Sequence, residues 1–484
     1  MGRFSQGMSR AGAGAGTAVV MALGLGGAGS ALGASSCPAP ISGLGSGRVF
    51  YVSPSGSDGN IGTSPCAPWQ TMAKVESAGL RAGDTAAFQG GQAFAAPLSP
   101  WGGTDGVFYT SYGVGQADLT GGVYLNSVTD LTFDNLDITD AAGPGIGTGG
   151  GGSGATGIDV VNSTISSTYS AGIGGYGIGL RNVHDANWTI AGDNISNTAD
   201  SGIAFIGSSV TIEDDILRDD GIGPYCGTGS GQNPCHGVYA KGPGATVLDN
   251  VIARPQDVGV SLRDQNNVVQ GNTIAGGQKG IAFSSETTTP GTTYIVGNTI
   301  SGQRDTGIQS YPGTRPLYES FVIASNTVYD PANYAVYLSS GPNSAASQTV
   351  TLANNLLEIA PGALGYLNLA YPASYTSATY LEHYDAFYGA GTRSAFYING
   401  SARTWSTYTS WFGSRTEGRN DLTSSDPMLD TTTFALGYGS PAIGAGTLGV
   451  PGIAYAHVAS CPIADSAVPL AWQYCAKTPD MGSS

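Results

Sequence analysis

The sequence predicts an all-β protein, a single parallel β-helix solenoid, and three observations predict it. A turn residue, any residue and then an aliphatic recur along the middle of the chain. The copies are Asp193-Asn194-Ile195, Asp214-Asp215-Ile216, Asn250-Val251-Ile252, Asn272-Thr273-Ile274, Asn298-Thr299-Ile300, Asn326-Thr327-Val328 and Asn354-Asn355-Leu356, with weaker ones ending at Ile138 and Ile165. A second beat, Gly-aliphatic, follows most of them about seven residues later, as at Gly145-Ile146, Gly172-Ile173, Gly202-Ile203, Gly259-Val260, Gly280-Ile281 and Gly307-Ile308. The composition is rich in glycine and poor in charge: 77 Gly in 484 residues, with 11% charged.

Each observation maps onto part of a coil. The segments around the aliphatics are short, β-branched and of period two, bounded by Gly, Asn and Asp, which is the pattern of short strands. Stacked strands lie about 4.8 Å apart, so aliphatics at one phase pile into an interior column. Asn at one phase can form a ladder of side-chain amides bonded up and down the stack. The glycines are expected to allow tight bends. One coil cannot bury its own apolar face, so many are needed. Right-handedness follows from the rule for parallel crossover connections. Successive aliphatics are 27, 30, 21, 36, 22, 26, 28 and 28 residues apart. The longest interval marks an insertion, Leu217 to Cys235, between two strands of one coil.

Residues 1–35 read as a signal peptide. Arg3 and Arg10 precede an uncharged Ala/Gly/Val/Leu stretch that ends in small residues at Ala31, Gly33 and Ala34. The remaining chain divides into an N-terminal cap and first coils (36–125), regular coils (126–360), and irregular coils with a disulfide-closed tail (361–484). Six cysteines in an exported chain favour disulfides, and sequence neighbours suggest Cys37–Cys66, Cys226–Cys235 and Cys461–Cys475. A secreted or periplasmic monomer without stable membrane insertion is expected. With 18 basic against 34 acidic residues the net charge is −16, which argues against a nucleic-acid partner. The Gly content argues against helical bundles, and the missing three-residue period excludes collagen.

Three segments resemble a known group. Phe50-Tyr51-Val52-Ser53-Pro54-Ser55-Gly56-Ser57-Asp58, then Pro68-Trp69-Gln70-Thr71, then Ala82-Gly83-Asp84-Thr85 are similar to the opening of secreted right-handed β-helix proteins of the pectate lyase superfamily. Asp426-Pro427 and Gly439-Ser440-Pro441-Ala442-Ile443-Gly444-Ala445-Gly446 resemble its closing coils. The resemblance spans about residues 48–450 and implies the fold. It is less specific for reaction, because the fold hosts several chemistries.

Strand parity, read from the Gly-aliphatic beat, turns positions two and four after the Gly outward. Tyr239 and Lys241, Ser261 and Arg263, Ala282 and Ser284, Gln309 and Tyr311 then face solvent. Lys241 and Arg263 share a phase on adjacent coils. Such a pair suits β-elimination on a uronic-acid polysaccharide: cations stabilise the enolate-like charge, a base removes the α-proton and an acid protonates the leaving oxygen. Lys241-Gly242-Pro243, Val260-Ser261-Leu262-Arg263 and Gly271-Asn272-Thr273 resemble segments of the alginate lyase and chondroitinase B family. That resemblance implies Lys241 as base and Arg263 as acid. The family's acidic calcium ligands before the Lys are replaced by Pro234 and His236, so no cofactor is certain, with calcium the one considered. His236 is a candidate second acid or base. Tyr239, Asp219, Asp220, Arg254, Lys279, Arg304 and Tyr311 are candidate substrate contacts, and the disulfide-stiffened insertion is expected to wall the cleft beside Lys241. Two alternatives stand beside the lyase. One is an inverting hydrolase of polygalacturonase type using Asp200, Asp219 and Asp220; the other is a glycan-binding or adhesion module without chemistry.

Overall fold

The computed structural model describes residues 37–457 and 471–474, apart from 140, 167, 169–173, 228–232, 312–316, 344–346, 371–378, 390–395, 412–419, 424, 438–439, 444 and 448–449. The signal-peptide reading, Gly172-Ile173 and the Cys461–Cys475 pair lie outside these residues. The chain winds as a right-handed parallel β-helix. Three sheets run its length, of 15, 12 and 12 strands among the described residues. One coil is Thr246–Leu248 in sheet 1, Val251–Ala253 in sheet 2 and Val258–Leu262 in sheet 3; the next is Val268–Gln270, Thr273–Ala275 and Lys279–Phe283. Pairing between successive coils is parallel and in register, as in Ile252↔Ile274 and Val260↔Ile281. It continues past residue 360, through Ala386–Gly389 and Phe396–Ile398, so the coils extend further than the sequence pattern suggests. A six-residue helix, Met72–Ser77, is capped by the Thr71 hydroxyl, which accepts from the Lys74 N–H. No described helix is long and apolar enough to cross a membrane.

The Asn phase is a ladder. Asn355 donates from Nδ2 to Asp385 Oδ1, and Asn250, Asn272, Asn298 and Asn326 each donate from Nδ2 to Oδ1 of the next Asn, at 2.9–3.0 Å. Each also donates to a sheet 1 carbonyl: Ile212, Val247, Val269 and Ile295 in turn. Every rung follows a residue of positive φ, such as Asp214 or Asn354. This corrects the alignment of two repeats by one residue. Where two turn residues stand in tandem, the first takes the left-handed turn and the second enters the ladder. Asp215 and Asn355 are therefore rungs, and Leu217 and Leu357 point inward, leaving Ile216 38% exposed.

The Gly beat also has a different cause from the expected bends. Gly237, Gly259, Gly280 and Gly307 have no positive φ. A Cβ on Gly259 would lie 2.4 Å from Ile274 Cγ2, and one on Gly280 2.3 Å from Ile300 Cγ2. These glycines make room for the interior aliphatic of the next coil. Gly177-Ile178 carries this beat in the coil before Ile203.

Candidate functional site

The outer face of sheet 3 gathers the polar and aromatic side chains that the interior has no use for. One outward column reads Ala204, Tyr239, Ser261, Ala282, Gln309, Tyr337, Asn368 and Tyr397, all in register. Beside it stand Lys241, Arg263, Ser284 and Tyr311, each one coil further along, fixed by N–H bonds from Arg263 to Ala240 O, Ser284 to Leu262 O and Tyr311 to Phe283 O. On the opposite edge, before the Gly beat, Asp257, Gln278, Asp305 and Asn333 follow one another by the same kind of bond.

Arg263 lies at the centre. Its guanidinium sits 3.8 Å from the Tyr311 ring centroid and 5.8 Å from that of Tyr239, and Nη1 donates to Ser284 Oγ at 3.2 Å. Its Nε is buried without a hydrogen-bond partner, and no ion pair to Arg263 is found among the described residues. The Tyr311 hydroxyl reaches back two coils to Ser261 Oγ, 3.3 Å away. The small side chains Ser261 and Ala282 form the floor beneath these rings and have no exposed surface.

The other cations are engaged. Lys279 Nζ lies between Asp257 Oδ1 at 3.9 Å and Asp305 Oδ2 at 3.5 Å, and Asp305 also accepts from Asn333 Nδ2 at 2.8 Å. Burial raises the Asp257 carboxyl above the usual range, although Lys279 opposes the rise. Arg304 donates to the Gln256 carbonyl at 2.8 Å. Lys241 reaches Glu286 Oε2 at 3.4 Å. The backbone relation expected of Lys241 and Arg263 holds, but their heads turn to different partners: Lys241 to a carboxylate, Arg263 to aromatic rings. His236 is buried beneath Tyr239, ring centroids 5.1 Å apart. Burial, with Arg263 and Lys279 nearby, pushes its pKa down to about 3, so the imidazole is neutral.

Several sequence candidates fall elsewhere. Asp219 and Arg254 form a two-point ion pair of 2.5 and 2.7 Å with each other, outside the aromatic cluster. Asp220 is sealed in the wall, its Oδ1 accepting from Thr198 Oγ1 at 2.9 Å, and burial holds its carboxyl well above the usual range. Of the carboxyls considered for a hydrolytic pair, Asp219 is thus taken up by Arg254 and Asp220 by Thr198. The insertion carries its Cys226–Cys235 disulfide as expected, and Cys37 and Cys66 are also disulfide-bonded. Among the described residues of the insertion no bond or ion pair to Lys241 is found. Gly221, Ile222 and Gly223 donate to Thr198 and Ala199 carbonyls, which folds the loop back near Asp200 and His236, at the other end of strand Val238–Ala240. Asp257 and Asp305 were not singled out from sequence. Their signal was legible: Asp200-Ser201-Gly202, Asp257-Val258-Gly259 and Asp305-Thr306-Gly307 share one Asp-x-Gly pattern on the Gly beat.

A family profile described as "Right handed beta helix region" matches residues 236–364, and one described as "Periplasmic copper-binding protein (NosD)" matches residues 107–287. No curated protein matches the sequence. Among solved structures the chain is similar to pectate lyase Pel9A, at 16% identity over 90% of this chain and 96% of that one, TM-score 0.44. It is also similar to XylC in complex with xylose, at 10% identity over 79% and 87%, TM-score 0.55, and to a rhamnogalacturonan lyase, at 13% over 78% and 87%, TM-score 0.39. The class that the β-helix profile, the XylC likeness and the coil pattern define is the right-handed parallel β-helix. The described metal-capable clusters do not suit copper, which prefers imidazole and thiolate or thioether. In one of them, Asp200 with Cys226 and Cys235, both sulfurs are spent in the disulfide; the other, Glu382, Asp385 and Asp421, is all carboxylate.

Proposed function

We propose that this is a secreted glycan-active enzyme that seats a uronic-acid-containing polysaccharide on the outer face of sheet 3 and cleaves it by β-elimination. The observation that carries the reading is Arg263, a guanidinium 3.8 Å from the Tyr311 ring centroid with no carboxylate paired to it among the described residues. A planar, permanently charged fork of this kind matches a carboxylate. Neutralising the sugar carboxylate makes the adjacent carbon acid and stabilises the charge that forms when its proton leaves. The proton passes to a base, the glycosidic C–O bond breaks, a C=C bond forms in the sugar, and the departing oxygen takes up a proton. Lys241, one coil away, is the base once substrate displaces Glu286. His236 is a positioning residue: its ring packs on Tyr239 and its Nδ1 lies 4.0 Å from Asp257 Oδ2.

A second reading, hydrolysis, is favoured by the two carboxyls that flank Lys279. The Lys279 contacts, at 3.9 and 3.5 Å, hold the Asp257 and Asp305 carboxyls no more than about 7.4 Å apart, a bound that admits the roughly 6.5–9.5 Å of inverting hydrolases and equally the roughly 5–5.5 Å of retaining ones. The raised Asp257 carboxyl suits a general acid. Ultraviolet absorbance of unsaturated products from polygalacturonate, alginate and glycosaminoglycans separates the two. Arg263→Ala is expected to lower kcat/KM about 100-fold or more, with no rescue by Arg263→Lys. New reducing ends without unsaturation, abolished by Asp257→Asn, overturn elimination in favour of hydrolysis.

A further inference from the structure

Beyond Arg263 the outward column of sheet 3 takes on a different character over four coils. Gln309, Tyr337, Asn368 and Tyr397 alternate amide and ring, and carry no charge. Gln309 is 5% exposed and Asn368 6%, yet Gln309 Oε1 and Asn368 Oδ1 are buried acceptors without a hydrogen-bond partner. A buried amide oxygen left unpaired costs stability and is rare in native proteins. Tyr334 stands beside them, its ring centroid 5.5 Å from that of Tyr337 and 5.5 Å from that of Tyr397. None of these groups takes part in the chemistry assigned to Arg263.

We infer that this stripe is a second glycan-binding segment, which holds two to three further sugars of a polysaccharide lying along the helix axis. The inference rests on the proposed function for the choice of a glycan. Tyrosine rings offer flat apolar faces to pyranose C–H groups, and the Gln309 and Asn368 amides turn outward on binding so that their unpaired oxygens accept from sugar hydroxyls. Coils repeat about every 4.8 Å, comparable to the advance of one sugar along an extended chain, so successive coils meet successive sugars, and the rings of Tyr337 and Tyr397, two coils apart, meet every second one. The segment reads hydroxyls and ring faces and leaves charge recognition to Arg263. The bound polymer therefore needs its carboxylate only at Arg263.

The test is affinity electrophoresis in gels containing polygalacturonate, alginate or xylan, alongside cleavage of polymer and of trimer-length fragments. Tyr337→Ala and Asn368→Ala are each expected to weaken polymer retention about fivefold to tenfold and to leave turnover of the short fragments unchanged, while Tyr337→Phe keeps wild-type retention. Tyr397→Ala, on the last of these coils, takes the place of Tyr337→Ala if that variant does not fold. Retention lost in the variants of a protein that cleaves nothing upholds the segment and overturns the catalytic reading. Cleavage with unchanged retention and chain-length dependence in all variants overturns the segment and leaves the catalytic reading standing. Absence of retention in all three gels overturns the segment.

Discussion

Replacing Asp215 by Asn tests the ladder at the rung where it is chemically wrong for neutral pH. Asp193 and Asp215 occupy rungs that Asn fills from residue 250 to residue 355. Their Oδ1 atoms accept from the Ser163 and Asp193 N–H groups as an amide oxygen would. Their Oδ2 atoms are buried without partners, where an Asn places a donor. An ionised carboxylate there sets acceptor against acceptor, so the favoured form is the protonated acid. Burial raises Asp215 to about 8, with Asp193 adding to it, and raises Asp193 to about 7. The folded protein thus binds protons that the unfolded chain, with ordinary carboxyls near 3.8, has released. Stability is then fully present below about pH 4 and is lost as pH rises toward 8. Asp215 rises by about four units at about 1.4 kcal/mol each, which sets an upper estimate of roughly 5–6 kcal/mol lost above pH 8 and about 4 kcal/mol at pH 7. Asp215→Asn removes the titration and supplies the missing donor. Urea unfolding midpoints from pH 4 to 9 are expected to coincide for wild type and variant at the acid end and to diverge steadily, with the variant more stable by several kcal/mol at pH 8. Parallel profiles, or a variant weaker than wild type at pH 8, would refute the assignment of Asp215 as a protonated rung.

Two further outcomes follow from the packing. Gly280→Ala is expected to cost about 1–3 kcal/mol by thermal or urea unfolding, because its Cβ would lie 2.3 Å from Ile300 Cγ2 in a filled interior; Gly302→Ala, where a Cβ meets nothing within 4 Å, controls for crowding although its positive φ is strained. Cys226→Ser with Cys235→Ser closes no loop across the nine-residue separation and is expected to cost about 2–3 kcal/mol, with glycan turnover falling alongside because the loop packs near Asp200 and His236; unchanged turnover would show that the insertion does not support the site.

The strand phases were legible because a parallel stack forces like residues into columns. Ile252, Ile274 and Ile300 could be placed inside, and Arg263 one coil from Lys241, from spacing alone. What spacing does not encode is the direction of a long side chain. Lys241 turns to Glu286, a residue 45 positions away that no repeat phase relates to it, and Arg263 leans over Tyr311 two coils further on. The tandem pairs Asp214-Asp215 and Asn354-Asn355 were ambiguous for a related reason. Both members suit a turn, and only the backbone decides which one takes positive φ.

Asp220 and Asp257 show why candidate carboxyls were hard to rank from sequence. Both precede the Gly beat, and burial raises both carboxyls. Asp220 is met by a Thr198 hydroxyl and the close approach of Gly202, whose Cβ would lie 2.6 Å from Asp220 Oδ2, so its proton serves the wall. Asp257 instead faces Lys279, and through it Asp305, on a surface that also holds Arg263 and Tyr311. The difference lies in the neighbours one and two coils away, since a solenoid presents every coil's edge to the next. A site on such a fold is therefore assembled along the stack, and a residue's chemistry is set by the column in which it stands.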